Sequence, residues 1–402
     1  MKRFPFPAIL FGGDSVNALG VLRNLGRNGV AVYYVTDRKT EAVFSRYCKR
    51  SFVIPNIERD RKILMTFLTN FEKKIGSSAV IFSGSDMFCL GLSSLENEMS
   101  RGYHVLLPKS DVVETLVNKR KFYRSLDKYA ISHPATYFPE SIDDIEAISK
   151  ETGYPVYVRP SISQVFSEIF RKKGFIARSR EELFKYFTLA ARYKIDVLVQ
   201  EIVPGPATSI FGICGYFDKN GDPCGLFAYR RLREWPRGFG NNSLIESIPV
   251  CSLPSIKTCT LEYLHDLRYH GLMEAEFKKD SRDGQFKFLE VNARSWWQNS
   301  FPTKCGINLV FAAYLDAIGE KPDLNEDYAA GLRWSYFLTD TRSVIPLLKT
   351  GEITVGAWLS SLRMVDDWAY FSIDDLIPWI LNSQYTLNKL VKVNVRRNDS
   401  IT

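Results

Sequence analysis

Short apolar runs, each closed by a glycine turn and followed by a stretch with helical spacing, dominate the first hundred residues. Ala8-Ile9-Leu10-Phe11 predicts a strand. Gly12-Gly13-Asp14 follows as a turn, and Ala18 to Leu25 has helical spacing until Gly26 and Gly29 end it. Val30 to Val35 predicts the next strand, and Ala79 to Phe82 another that closes in Ser83-Gly84-Ser85-Asp86. Strands alternating with helices imply a parallel sheet whose ligand edge lies at the strand C-termini.

After residue 110 the pattern changes. Asp111 to Leu126 predicts a helix containing Asn118-Lys119-Arg120-Lys121-Phe122, and Pro134 breaks the chain after it. Ser141 to Lys150 reads as a helix capped by Ser141. Tyr154 to Ser161 predicts a strand ending in a cation, Arg159, followed by a serine-rich loop over 162–167. Gly174 to Ala177 returns as a strand, and Ser179 with Glu182 has capping-box spacing. Val197 to Val203 predicts a buried strand turned by Pro204-Gly205-Pro206. Ser209 to Phe217 and Cys224 to Leu232 flank a hairpin signal at Asn220-Gly221. Met273 to Lys278 and Phe286 to Val291 flank another turn at Arg282-Asp283-Gly284. The centre of the chain is therefore a mostly antiparallel α+β unit. Leu347 to Leu362 and Leu376 to Leu390 read as helices.

Composition narrows the class. The 402 residues are enough for two or three lobes, and 45% hydrophobic with 24% charged residues fits a soluble enzyme. No apolar run is long enough to span a bilayer, and the basic start Met1-Lys2-Arg3 lacks the long apolar region of a signal peptide. Seven dispersed cysteines fit reduced thiols, so a cytoplasmic location is expected. Four scattered histidines argue against zinc. The net charge of +8 contains no true Lys/Arg run; Lys119-Arg120-Lys121 and Arg171-Lys172-Lys173 are the densest stretches and read as solvated faces. Nucleic acid is not an expected partner.

The candidate chemistry lies at the end of the second hairpin. In Phe288-Leu289-Glu290-Val291-Asn292-Ala293-Arg294 a carboxylate, an amide and a guanidinium stand at alternate positions and share one face of a strand. The short turn at 282–284 places Glu276 opposite Glu290, so Glu276, Glu290 and Asn292 form a hard-oxygen set of the type Mg²⁺ prefers. The other reading is a cross-strand repulsion relieved by Lys278. Gly12-Gly13-Asp14 lacks dinucleotide-fingerprint spacing and reads as a tight turn. Between Tyr229 and Gly240, arginines interleave with aromatics and glycines. Strand alternation puts Arg231 and Arg233 on one face and Arg230 on the other, so all three cannot serve one site without a bulge. Trp296 and Trp297 wall a pocket or fill the core, with the core favoured for Trp297. Cys305 reads as a small buried residue, and Asp366-Asp367 and Asp374-Asp375 as helix caps.

In order, a lysine in an early helix, a cation ending a strand, a Gln-Glu hinge strand, a Glu-Phe strand and a Glu-x-Asn-x-Arg strand resemble the ATP-grasp superfamily over residues 5 to 320. The segment 230–246, Cys305-Gly306-Ile307-Asn308 and Gly331-Leu332-Arg333-Trp334 resemble carboxylate–amine ligases related to D-aspartate ligase. The resemblance implies mixed α/β and α+β architecture: a pre-ATP-grasp α/β domain over 1–112, a small lobe over 113–200, a large lobe with the metal site over 201–320, and a mostly helical extension over 321–402. It implies ATP and Mg²⁺ as cofactors, with Mn²⁺ an accepted substitute, and small-molecule carboxylate and amine substrates. Lys119 and Arg159 would then contact phosphates, and Glu201, Ile202 and Val203 would hold adenine. Glu276, Glu290 and Asn292 would hold the metal, with Arg294, Arg231 and Arg233 at the reacting groups. The chain departs from the pattern at Arg159, where lysine is usual, in the glycine-poor 162–167 segment, and at Ala207, where an acid is usual. The last 80 residues stay open between a cap on the acceptor pocket, a homodimer surface and a partner-binding module.

Overall fold

The computed structural model describes residues 4–76, 78–99, 102–324 and 327–386, and three sheets carry its fold. The first is five-stranded and parallel, in the order Cys48–Val53, Val32–Thr36, Ala8–Phe11, Ala79–Ser83, Tyr103–Val105. Gly12 and Gly13 both adopt positive φ, at 68° and 88°, which lets the chain turn from strand to helix within two residues. Asp14 caps the following helix, Ser15–Arg27, accepting from the Asn17 amide at 3.1 Å. A Cβ at Gly84 would lie 2.9 Å from the Gly12 carbonyl, so the two turns at this sheet edge touch because neither carries a side chain there.

The second sheet is antiparallel, in the order Thr136–Tyr137, Val197–Glu201, Val156–Pro160, Phe175–Ala177. Its last strand in sequence runs across the division drawn at 200/201. The helix Ile142–Glu151 has Ser141 as its cap in a full capping box with Asp144. These elements enclose their own core of Ile145, Val156, Phe166, Phe175, Leu183 and Val199.

The third sheet has seven strands, in the order Phe286–Asn292, Gly271–Lys279, Ile210–Phe217, Pro223–Trp235, Asn241–Ile248, Arg333–Ser335, Asp367–Trp368. Its inner face shares one core with the first domain, where Leu19, Leu22 and Val80 join Tyr229, Trp296, Phe301 and Trp334.

Several expectations change. The helix expected over 111–126 is two helices, Ser110–Val117 and Lys119–Lys128. Asn118 is extended between them and caps the second through contacts with the Arg120 and Lys121 amides. The expected loop over 162–167 is mostly helix, Ser163–Phe170, because Phe166 finds the small-lobe core and buries completely. The stretch 347–362 divides between two helices, Phe337–Lys349 and Val355–Arg363. The last described helix covers 377–386, and the expected continuation to Leu390 lies outside the described residues.

The paired aspartates are not caps. Asp375 is buried against Arg23 at 3.0 Å, Asp374 binds Arg27 and Tyr47, and Asp367 accepts from Ser300 at 2.7 Å. They fasten the C-terminal part, whose described residues include three helices and two short strands, to the first domain and the large sheet.

Candidate active site

One cleft of about 480 Å³ is lined by residues from all three sheets. Among the described residues, none beyond Gln298 lines it, so the described C-terminal residues do not cap this cavity.

The hairpin register is as alternation required. Glu276 pairs with Glu290, and Glu274 with Asn292. A bulge between Glu276 and Phe277 absorbs Leu289, so Phe277 then pairs with Phe288. Both carboxylates are neutralised within the protein. Lys119 Nζ lies 3.0 Å from Glu290, and Arg159 lies 3.8 Å from the same oxygen. Burial alone would raise the Glu290 pKa, but Lys119 and Arg159 hold it down at about 2. Arg231 reaches Glu276 at 2.8 Å.

The break at Asn118 places Lys119. Being first in its helix, Lys119 donates its amide to the Ser161 carbonyl at 2.8 Å, just past the strand that carries Arg159. Arg159 also donates to Gln200 at 2.9 Å. Ile202 and Val203 line the cleft at the hinge, whereas the Glu201 carboxylate is taken by Arg282 and by the Ala135 amide at 3.1 Å. Arg294 donates to Asp86 at 2.6 Å and to Asn292 Oδ1 at 3.0 Å.

The arginine segment behaves differently from its alternation. The sheet register shifts between Arg231 and Arg233, and again between Arg233 and Glu234. Arg231 stays on the cleft face, only 4% exposed, bound by Glu276, Glu234 and Asn242. Arg233 is turned away and grips the fully buried Asp340 at 2.7 and 2.9 Å. Arg230 pairs with Glu246 at 3.1 Å. Arg233 is therefore not brought to the site, and the bulge that could have gathered the arginines separates them instead.

Several cleft residues escaped the sequence reading. Trp296 is the core tryptophan, and Trp297 lines the cleft with its indole N–H on Asp14, the reverse of the expectation. Burial pushes the Asp14 pKa up. Lys173, read as a solvated charge, lines the cleft and donates to Asn241. Glu274, on the same strand face as Glu276, is 5% exposed. Burial and the neighbouring Glu276 push its pKa up to about 8. The alternation that exposed Glu276 also marks Glu274; no sequence signal marks Tyr229, whose hydroxyl lies 2.8 Å from Glu274 and 2.9 Å from Glu276.

No family model matches the chain. It is 23% identical over 336 residues to D-aspartate ligase of Enterococcus faecium, covering 80% of this chain and 79% of that protein. It is 28% identical over 255 residues to the carbamoyl phosphate synthase large chain of Saccharolobus islandicus, covering 61% of this chain but only 23% of that much longer protein. Among solved structures, a biotin carboxylase–β,γ-ATP complex from Campylobacter jejuni superimposes with a TM-score of 0.64 at 15% identity, covering 81% of this chain and 74% of the other. N5-carboxyaminoimidazole synthetase from Staphylococcus aureus does so with a TM-score of 0.63 at 11% identity, covering 83% and 82%. The fold is that of the ATP-grasp proteins.

Proposed function

We propose that the protein is an ATP- and Mg²⁺-dependent carboxylate–amine ligase. The observation that carries this reading is the cross-strand pair Glu276 and Glu290, the first held by Arg231 and the second by Lys119 and Arg159, in one cleft that residues 201–203 also line. The similarity to D-aspartate ligase over most of both chains supports a ligase in particular.

The donor set fits a divalent cation. Two carboxylates and the Asn292 amide are hard oxygens on adjacent strands, and Mg²⁺ uses few protein carboxylates when phosphates complete its shell. Bound there, the ion would neutralise charge on the phosphates.

The chain's residues then divide the work. Lys119 and Arg159 turn from Glu290 to the phosphates when nucleotide arrives, and backbone groups of Ile202 and Val203 hold the base. The usual glycine loop is replaced by the helix Ser163–Phe170, which has no side-chain cap and opens on the cleft at Ser163 and Gln164. Its free amides supply the contacts that glycines would otherwise allow. A substrate carboxylate oxygen attacks the γ-phosphorus and ADP leaves. Arg294 and Arg231 stabilise the developing charge on the acyl phosphate. The amine nitrogen attacks the acyl carbon, phosphate leaves, and the amine proton passes to solvent.

The same helix, with Arg159 and Ala207, also favours a second reading: a nucleotide-binding protein without turnover. A ligase releases phosphate from ATP only when carboxylate and amine are both present. A binding protein is stabilised thermally by ATP and Mg²⁺ and releases none in a screen of amino acids and amines. No helix among the described residues is long and apolar enough to cross a membrane.

A further inference from the structure

Three strands converge on one buried carboxylate that the ligase reading leaves without a role. Glu274 stands directly opposite Asn292, and three polar groups meet its side chain. Asn292 Nδ2 donates to one oxygen at 3.0 Å. Gln298 Nε2 and the Tyr229 hydroxyl lie 2.6 and 2.8 Å from the other. Tyr229 reaches it from two strands away. In register, Tyr229 pairs with Gly212 and Gly212 with Glu276, so the tyrosine ring must cross the intervening strand. It can because that residue is glycine: a Cβ at Gly212 would lie 2.2 Å from the ring. The same hydroxyl accepts from Asn242 at 3.1 Å.

The consequence falls on Asn292. A side-chain amide has an oxygen and a nitrogen of nearly equal size, and its neighbours decide which points where. Here Nδ2 faces the Glu274 carboxyl, and Oδ1 faces the Arg294 guanidinium at 3.0 Å. The opposite flip would set the Asn292 N–H against the Arg294 N–H and withdraw it from the Glu274 carboxyl oxygen. The Oδ1 edge, on the Arg294 side, is the only part of the amide that can donate electrons to a cation.

We propose that Glu274 is a positioning residue: it fixes the Asn292 amide with its oxygen turned to the metal and its nitrogen turned away. This rests on the ligase reading only in taking Asn292 as a metal ligand. Partners that orient a ligand commonly change metal affinity by about 10- to 100-fold when removed.

The test measures binding rather than turnover. Mn²⁺ is titrated by electron paramagnetic resonance into the full chain with saturating ADP, for the wild type, Glu274→Ala, Glu274→Gln, Asn292→Ala and the double variant Glu274→Ala/Asn292→Ala. Glu274→Ala should weaken Mn²⁺ about tenfold, and Glu274→Gln, which keeps an acceptor for the Asn292 N–H, should recover most of the loss without a cavity. The double variant should be no weaker than Asn292→Ala alone, because Glu274 acts through Asn292. Thermal unfolding of each variant separates folding from affinity. An unchanged Mn²⁺ affinity in Glu274→Ala, or strictly additive losses in the double variant, overturns the inference while Asn292→Ala still shows the metal site. A wild type that binds no Mn²⁺ with ADP overturns the metal-site reading and the inference together.

Discussion

Two antiparallel hairpins of the large sheet carry charged side chains toward the same cleft, and they obey their sequences unequally. In the hairpin Gly271–Lys279 with Phe286–Asn292, a single bulge falls after Glu276, so alternation holds through Glu274, Glu276, Glu290 and Asn292. In Pro223–Trp235 with Asn241–Ile248, two register shifts fall among the arginines themselves. The first hairpin keeps its charged set on one face. The second keeps Arg231, brings Glu234 beside it and sends Arg233 to Asp340. Where a bulge falls matters more than whether one exists.

The largest effect should come from the regular hairpin. Glu290→Ala removes the proposed cation ligand and leaves Lys119 without its partner. Phosphate release should fall by about 10³-fold or more, and the thermal midpoint should drop as well, because the pairing with Lys119 and Arg159 that holds the Glu290 pKa at about 2 is lost. Steady-state assay beside differential scanning calorimetry decides it; a variant with full turnover would remove the carboxylate pair from the mechanism.

The irregular hairpin should split two neighbouring arginines. Arg233→Met leaves the buried Asp340 carboxylate without its guanidinium and should cost about 3–5 kcal/mol of stability. Ligand affinity of the fraction still folded should be unchanged. Arg231→Met frees Glu276, and should lower turnover by roughly 10²-fold. Urea unfolding and ATP titration of both variants give the contrast, and equal behaviour of the two would mean that the bulge does not sort them.

These residues show what was legible. Three strands of the parallel first sheet, the hinge strand and the 271–292 hairpin followed from apolar periodicity and turn residues, because each is a local apolar run bounded by its own turn signals, whatever strand it pairs with. The pairing of Glu276 with Glu290 needed only the turn length. Arg233, Trp297 and Lys173 were misplaced because their surroundings come from chain segments 68 to 283 residues away. The helix at Ser163–Phe170 was hidden for a related reason. Its serines favour loops, and only burial of Phe166 in the small-lobe core offsets that preference. Gly212 is the plainest case. As sequence it is a weak point in a strand, whereas in the sheet it is the gap that Tyr229 crosses.

Closing that gap should have an intermediate effect. Gly212→Ala forces the Tyr229 ring to move, at a cost of roughly 1–3 kcal/mol for overpacking. Metal affinity should drop with it, since the hydroxyl leaves Glu274 and Glu276. Pairing Gly212→Ala with Tyr229→Phe sharpens the point: the phenylalanine variant keeps the ring and loses only the hydroxyl. If it matches wild type in Mn²⁺ affinity while Gly212→Ala does not, the ring's packing rather than its hydroxyl supports the site.

The most gradual effect is a slope in pH, and it separates two carboxylates of the regular hairpin. Glu274 is held up at about 8 by burial and by Glu276, against an ordinary value of 4.5. Between those values the folded ligand-free protein keeps a proton that the unfolded chain has released. The folded state therefore binds more protons, and stability must fall as pH rises from about 4.5 to about 8, by at most about 1.4 kcal/mol per unit. Glu290 has the opposite sign. It is held at about 2 by Lys119 and Arg159 despite its burial, so its contribution is present above 4.5 and is lost as pH falls toward 2. Chemical denaturation across pH 3 to 9 should show both limbs. Glu274→Gln, which cannot ionise, should flatten the limb above 4.5 and leave the acid limb in place. Lys119→Met should do the reverse, moving acid unfolding upward by roughly half a unit while the neutral limb stays. Were Glu274→Gln to retain the full neutral slope, the proton would reside on another group and the raised carboxyl would not be Glu274.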